Sequence, residues 1–351
     1  MLTLGRFADE ISSIPTMTSW YLTDLGEALG KQELFTKQSP QKLKVLREHA
    51  LIESAVSSNR IEGIEIDRLR IGTVLFGKPP FRDRNEEEVA GYRDALAWIH
   101  GASETIPVNT KTILELHALS RGHVGDAGRF KERDGDIIER YRDGKERVRF
   151  KTVRASETPA AVDELIELWH MCFEERWVHP LVGLAAFNLD FLCIHPFRDG
   201  NGRVSRLLFL LQCYHLGFEV GRFVSLERLI EQNKDGYYEA LERSSLGWHD
   251  GRNDPWLYVN YLLYKLKMAY KEFEERVGAS ASPRGAKTEL IKKAVSANAG
   301  EFTLADIERA CPGVSRDMIR RVLRSMRESG LVECLGRGPG ATWRKKGSTP
   351  K

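Results

Sequence analysis

The chain has 351 residues, 42% of them apolar and 29% charged, with a formal net charge of +3; this is room for one large core plus a smaller appended unit, in a globular rather than a disordered chain. Its longest apolar stretch, around Leu207 to Leu211, is far too short to span a bilayer. The start, Met1 to Pro15, carries Asp9 and Glu10 and no basic lead-in to an apolar run, so it reads as neither signal nor transit peptide and a cytoplasmic protein is expected.

Five cysteines, at 172, 193, 213, 311 and 334, show no C-x-x-C spacing and read as buried thiols rather than zinc ligands or disulfides. From Arg284 onward 15 Lys and Arg face 7 Asp and Glu. That basic C-terminal stretch suggests a polyanionic partner.

In chain order, Gln41 to Ser58 places Leu43, Leu46, Ala50, Leu51 and Val56 at helical intervals, predicting a helix that runs into Ile61 and stops near Gly63. Asn85 to His100 and Thr110 to Ser120 are two more, separated from their neighbours by loops at Lys78-Pro79-Pro80 and Ile106-Pro107. Ile137 to Val153 alternates around Asp143-Gly144 and predicts a β-hairpin. Helical periodicity returns at Thr158-Pro159 with Val162, Leu165, Ile166 and Trp169. Leu181 to Ile194 and Val204 to Leu216 are apolar almost all round, as helices buried on every side are. Residues 278–286 read as a linker. Beyond it a helix from Thr288, a short one from Thr303, a turn at Pro312-Gly313, a basic helix from Ser315 to Ser329 and a Gly-rich strand pair ending at Trp343 follow the order of a winged helix-turn-helix.

Chemistry concentrates in the polar loop between the two buried helices. Gly200-Asn201-Gly202 lies directly before a helix, where successive N–H groups and the helix dipole favour an anion. Arg203 and Arg206 stand three residues apart on one helix face and can reach successive phosphates. Asp199 is a carboxylate suited to Mg²⁺, which takes few protein ligands beside phosphate oxygens. His195 supplies an imidazole near neutral pKa that can accept a proton from an incoming hydroxyl. Taken singly, each of these has an ordinary structural reading; eight specified positions together do not.

The run His195-Pro-Phe197-Arg-Asp199-Gly200-Asn201-Gly202-Arg203-Val-Ser-Arg206 resembles the signature of the Fic family, H-x-F-x-D/E-G-N-G-R-x-x-R. The resemblance extends over roughly residues 40 to 275, with Asn188 and Ser205 as small departures. It implies a mainly α fold: a Fic-type helical bundle with a β-hairpin flap at about 137–153 and a C-terminal winged helix-turn-helix. The expected divisions are an N-terminal helical region (1–80) with an inhibitory helix, a catalytic core (81–277), the linker (278–286) and the winged helix (287–351).

The implied activity is transfer of AMP from Mg-ATP to a Ser, Thr or Tyr hydroxyl of a target protein, or of the chain itself, with release of pyrophosphate. ATP and Mg²⁺ are then the cofactors. By resemblance His195 is the base, Phe197 anchors the loop, Asp199 holds Mg²⁺, and Gly200, Asn201 and Gly202 receive the α-phosphate. Arg203 and Arg206 take the β- and γ-phosphates. Upstream, Ser58-Asn-Arg-Ile-Glu62-Gly63 fits the family's inhibitory pattern, with Glu62 competing for Arg206. The flap is expected to hold the target segment. Other readings stay open: a nucleotide-sensing regulator that binds DNA through the C-terminal unit, use of another nucleotide, removal of AMP, and a homodimer. No membrane partner is expected.

Overall fold

The computed structural model describes residues 2–36, 40–77, 81–122, 125–140, 144, 146–278, 286–298, 300–311, 314–336, 338 and 341–346. The Pro-Pro loop at 78–80, Asp143 of the expected turn, most of the linker (279–285), the 312–313 turn and positions 337, 339 and 340 of the expected wing lie outside them.

Among the described residues helices dominate. In order they are α1 (Arg6–Asp9), α2 (Thr16–Thr36), α3 (Pro40–Ile61), α4 (Ile71–Phe76), α5 (Arg84–Ala102) and α6 (Thr110–Arg121), then a hairpin of β1 (Ile137–Arg140) and β2 (Glu146–Phe150). There follow α7 (Thr158–Glu174), α8 (Pro180–Ile194), α9 (Asn201–His215), α10 (Leu226–Glu231), α11 (Lys234–Ser245) and α12 (Trp256–Gly278). The C-terminal unit is α13 (Ala286–Ala297), β3 (Phe302–Thr303), α14 (Leu304–Ala310), α15 (Arg316–Glu328), β4 (Val332–Cys334) and β5 (Thr342–Lys345).

Helix starts follow local chemistry. The Asp83 carboxylate accepts the Glu86 N–H to cap α5, and Asn109 does the same for α6 through Thr112, each satisfying an N–H that would otherwise lack a partner. The helix expected across Leu181–Ile194 is α8, buried along its whole length after Pro180. Its two polar side chains are hydrogen-bonded, as burial requires. Asn188 donates to the Ser205 carbonyl and accepts from the Tyr258 hydroxyl; Asp190 accepts the Thr3 and Leu4 N–H groups and the Trp248 indole. The second buried helix, α9, packs against α8, with α5 and α6 beside it.

One hydrophobic cluster runs from Leu2 to Val277. The N-terminal region expected over 1–80 therefore shares its core with 81–277: α3 packs on α5 and α10, and α2 on α12. A second, smaller cluster runs from Ile291 to Val332. It holds α13, α14 and α15 against a three-stranded sheet in the order β3-β5-β4, one strand more than the expected pair.

Candidate active site

The loop from His195 to Gly200 is held by its own apolar and amide groups. Phe197 is fully buried and stacks on the His117 ring, centroids 3.7 Å apart. Asn201 closes the turn: its oxygen accepts the Phe197 N–H at 2.9 Å and its amide donates to the Phe197 carbonyl at 2.7 Å. Sequence reasoning assigned Asn201 to the α-phosphate; here its carboxamide staples the loop and one amide hydrogen remains. His117 adds a second clasp, with its ring bonded to the Asp199 carbonyl and accepting the Gly128 N–H, both at 3.0 Å.

Gly200 has φ +89°, and a Cβ there would meet the Arg121 Cδ at 3.2 Å, so both backbone and space call for glycine. No side chain caps α9 at Gly200, which leaves its first N–H groups to an anion. His195 ends α8 in the left-handed region at φ 54°, turning its side chain out of the helix row. Its Nδ1 lies 3.3 Å from the Leu192 carbonyl, a bond that leaves Nε2 as the proton acceptor. Burial, reinforced by Lys131, pushes its pKa down to about 4, so the ring is neutral near pH 7.

Around this loop arginines converge on two carboxylates. Buried Glu88 of α5 takes Arg84 at 2.6 Å, Arg121 at 2.8 Å and Arg203 as well. Half-exposed Asp199 takes Arg121 at 2.7 Å and Arg84 at 3.1 Å, with Arg203 3.7 Å away. Burial of Asp199 works against its charge, but Arg121 and Arg203 outweigh it and hold its carboxyl below the ordinary range. Arg203 itself is fully buried, and its Nε and Nη2 have no hydrogen-bond partner among the described residues. A buried guanidinium with donors left over is what a phosphate-binding position requires. Glu88, Arg84, Arg121 and His117 were not singled out from the sequence. Glu88 stands in a Glu86-Glu87-Glu88 run read only as favouring a helix start; its burial is decided by packing.

Glu62 and Ser58 arrive from the end of α3. Glu62 pairs with Arg206 at 2.8 Å. Its carboxylate also lies over Gly202, where a Cβ would meet Oε1 at 2.2 Å. Ser58 accepts Arg206 twice, through Oγ and through its carbonyl, each at 2.9 Å. Burial opposes the Arg206 charge, yet the Glu62 carboxylate raises its pKa above the ordinary arginine value. Arg206 Nη1 is buried without a hydrogen-bond partner among the described residues. Gly63, at φ +79°, turns the chain away after the helix. Asn59, one turn before Gly63, touches Arg203 Nη1 at 3.4 Å.

His195 stands between two openings. A groove of about 960 Å³ is lined by Arg84, Arg121, Lys131, Arg198 and Asp199 among others. A second cavity of about 240 Å³ is bounded by Glu62, Gly202, Tyr237, Tyr238, Leu241 and the hairpin residues Ile137, Arg149 and Phe150. The hairpin pairs Ile138 with Val148. It is tied down by Arg149, which donates to the Tyr238 carbonyl at 2.6 Å, and by Phe150 stacked on His249.

Among the described residues no group of three or more His, Cys, Asp or Glu could hold a metal ion. Mg²⁺ needs no such cage, because one carboxylate, retained waters and phosphate oxygens suffice. Asp199 at the groove mouth fits that demand.

The fold is a mainly helical bundle with an uncapped helix start, buried arginine donors and a neutral imidazole at one end. Residues 107–213 match the Fic/DOC family, and the chain carries a Fic/DOC domain. It is similar to Protein adenylyltransferase Fic of Nematostella vectensis, 26% identical over 216 residues, 56% of this chain and 44% of that one. It is also similar to a chain named ribonucleoside-diphosphate reductase small chain from Ostreid herpesvirus 1 (isolate France), 31% identical over 150 residues, 39% of this chain and 25% of that one. The chain thus spans less than half the length of these curated relatives. A crystal structure of a Fic family protein from Desulfovibrio desulfuricans G20 has the same fold, with a TM-score of 0.60 and 22% identity across 97% of this chain and 98% of that one. No helix among the described residues is long and apolar enough to cross a membrane.

Proposed function

We propose that this chain transfers AMP from Mg-ATP to a hydroxyl of a target protein or of itself, and that Glu62 holds the site at rest. The observation that carries the reading is the uncapped start of α9 within one short loop of His195, with buried, partner-free donors on Arg203 and Arg206. Several similar proteins are named protein adenylyltransferase Fic, which supports the nucleotide and the reaction.

In this reading the α-phosphate rests over residues 200–202 while the nucleoside enters the cavity beside Tyr238 and Leu241. His195 Nε2 accepts the proton of the attacking hydroxyl. The new bond joins that oxygen to the α-phosphorus; the bond to the bridging oxygen breaks, and pyrophosphate leaves toward Arg203 and Arg206. Asp199 would hold Mg²⁺, which supplies charge neutralisation at the phosphates. Positioning and electrostatics carry such a transfer. The target segment adds as a strand along the hairpin, where Ile138 and Val148 are about half exposed, with main-chain bonds giving affinity and little sequence preference.

Glu62→Gly protein incubated with α-³²P-ATP should become labelled or should label lysate proteins, and His195→Ala in that background should abolish the label. Absence of label in both would favour a nucleotide sensor. Parallel labelling with UTP, GTP and CTP decides the base.

A second reading concerns the C-terminal unit. On α15 the arginines 316, 320, 321, 324 and 327 are exposed, while Ile319, Val322, Leu323 and Met326 are buried. At 100° per residue the five arginines share an arc of about 140° next to the buried stripe. Arg316 and Arg320 pair with Glu308 and Asp317. We propose that this face contacts the phosphates of duplex DNA. Gel retention should fall steeply with salt, and Arg321→Glu with Arg324→Glu should abolish it; no retention of any duplex at physiological salt would overturn the proposal.

A further inference from the structure

Lys131 was not singled out from the sequence, yet it is almost fully buried, at 7% exposure, beside the catalytic loop. Its ammonium donates to the Thr152 hydroxyl at 2.8 Å and to the Ile194 carbonyl at 3.2 Å. Its backbone N–H donates to the Pro196 carbonyl at 2.9 Å. Ile194 and Pro196 are the two neighbours of His195. Thr152 sits two residues beyond β2, and its hydroxyl donates to the Gly135 carbonyl at 2.6 Å, two residues before β1. The Lys131 ammonium therefore joins Thr152, and through it the other root of the hairpin, to the residue before His195, while the Lys131 backbone holds the residue after it.

We propose that Lys131 is a positioning residue of the transfer reaction, coupling the flap hairpin to the His195 loop so that a segment held on the hairpin meets the imidazole in one fixed geometry. The proposal rests on the transfer reading above. A buried lysine is costly where a neutral residue would pack, so its retention here calls for a task that a leucine would not perform. Burial lowers its pKa to about 8, with Asp134 and Asp136 acting the other way. The ammonium form, with its charge near His195, then predominates at pH 7.

The ammonium also disfavours a proton on His195. The other charged groups near that ring are Glu62 from α3 and Asp199 from its own loop, both of which favour the proton. Across the smaller cavity stand Arg149 of β2 and Glu242, Tyr237 and Tyr238 of α11. Glu62 and Lys131 thus act on the ring with opposite sign. With Glu62 replaced, removing Lys131 leaves Asp199 opposed by burial alone.

The experiment uses the full chain in the Glu62→Gly background, with Lys131→Met and Lys131→Arg added in turn. ¹³C-NMR titration of the histidine ring signals, His195 assigned by its loss in His195→Ala, should give a strongly lowered pKa with Lys131 present, lower than in the parent because Glu62 no longer favours the proton, and a higher value in Lys131→Met. In AMP incorporation, kcat should fall about 10²-fold, as misplacement of a reacting group by about 1 Å costs, while KM for ATP stays within about twofold. Lys131→Arg, which keeps charge and donors, should restore most of kcat and the low histidine pKa. An unchanged His195 titration in Lys131→Met, or a loss seen in KM for ATP alone, would overturn the proposal. If Glu62→Gly with Lys131 intact transfers no nucleotide, the transfer reading fails; the coupling still stands or falls on the His195 titration, together with amide exchange of residues 137–150.

Discussion

Replacing Glu88 by glutamine tests whether the arginine cluster is a buried, mutually dependent unit. Glu88 is 1% exposed and faces Arg84, Arg121 and Arg203, the last two 3% and 0% exposed at their side chains. Arg121 keeps Asp199 and Asp126 as partners. Among the described residues Arg203 keeps only the Ser120 carbonyl at 3.2 Å, Asn59 at 3.4 Å and a distant Asp199 at 3.7 Å. Removing one partner of a buried pair leaves an uncompensated charge and costs roughly 3–5 kcal/mol. For a domain of this size that is a fall in Tm on the order of 10 °C. The assay is thermal and urea unfolding of both proteins without nucleotide, repeated with ATP or tripolyphosphate. An anion binding near Arg203 replaces the missing charge, so it should raise Tm more in Glu88→Gln than in the parent. Glu239→Gln, which removes an exposed pair with Arg243 at side-chain exposures near 65%, should change stability by less than about 0.5 kcal/mol. A Glu88→Gln cost below about 1 kcal/mol, or equal anion response in the two proteins, would refute the argument that this carboxylate balances buried charge.

Three further outcomes follow from the same geometry. Glu62→Gly removes a charge-assisted pair to Arg206 worth about 1.5–3 kcal/mol, so AMP incorporation should rise between about 10-fold and 150-fold by radiolabel; an unchanged rate would reject the inhibitory role. Gly202→Ala puts a Cβ within 2.2 Å of the Glu62 carboxylate and 3.1 Å of Arg206 Nη1, so it should break the resting contact yet block the phosphate. Calorimetry should then find weaker ATP binding and no gain in labelling, even with Glu62→Gly. Burial lowers the pKa of His100 to about 3 and of His117 and His195 to about 4. Below the unfolded value near 6.5 the unfolded chain takes protons that the folded one refuses. Stability is therefore complete above pH 6.5 and lost as pH falls toward 4, each histidine adding up to about 1.4 kcal/mol per pH unit. Urea midpoints that stay flat from pH 6.5 to 4 would contradict this.

Much of the fold was legible where burial left a strong pattern. The helices α8 and α9, apolar almost all round, and the hairpin around Gly144 match the expected spans closely. The helix α2 was missed because its buried side is thin: of its side chains among the described residues only Thr18 and Leu25 are fully covered, and Gly26 and Gly30 weaken the helical signal. The helix α12 was also passed over, although Tyr258, Leu262, Leu266, Ala269 and Phe273 recur at helical spacing and are buried. At the site, the run from His195 to Arg206 was legible as a motif because its residues are contiguous, lying in one loop and the first two turns of α9. Glu88, Arg121 and Lys131 were not, since each matters through partners 60 or more residues away: Arg203 for Glu88, Asp199 for Arg121 and Ile194 for Lys131. Asn201 was readable as important but not as a staple, because both of its partners are backbone groups of Phe197.

The Ser58-to-Gly63 motif separates, in three dimensions, into parts with opposite consequences. Ser58 meets Arg206 with an uncharged hydroxyl and a carbonyl, on Nε and Nη2. Glu62 meets Nη2 with a full charge and covers Gly202. Only Glu62 stands where an anion over residues 200–202 would stand. Its departure therefore leaves a guanidinium already oriented by Ser58, with Nη1 still lacking a partner. In the proposed transfer Arg206 would thus be pre-organised for phosphate, with little rearrangement needed once the carboxylate swings away. If the proposed phosphate and Glu62 claim the same guanidinium, their binding is reciprocally coupled: whatever loosens the end of α3 would tighten nucleotide binding by the same free energy, and nucleotide would in turn displace Glu62. Such a switch needs no large movement of the domain. A turn at Gly63 and one half-exposed carboxylate are sufficient.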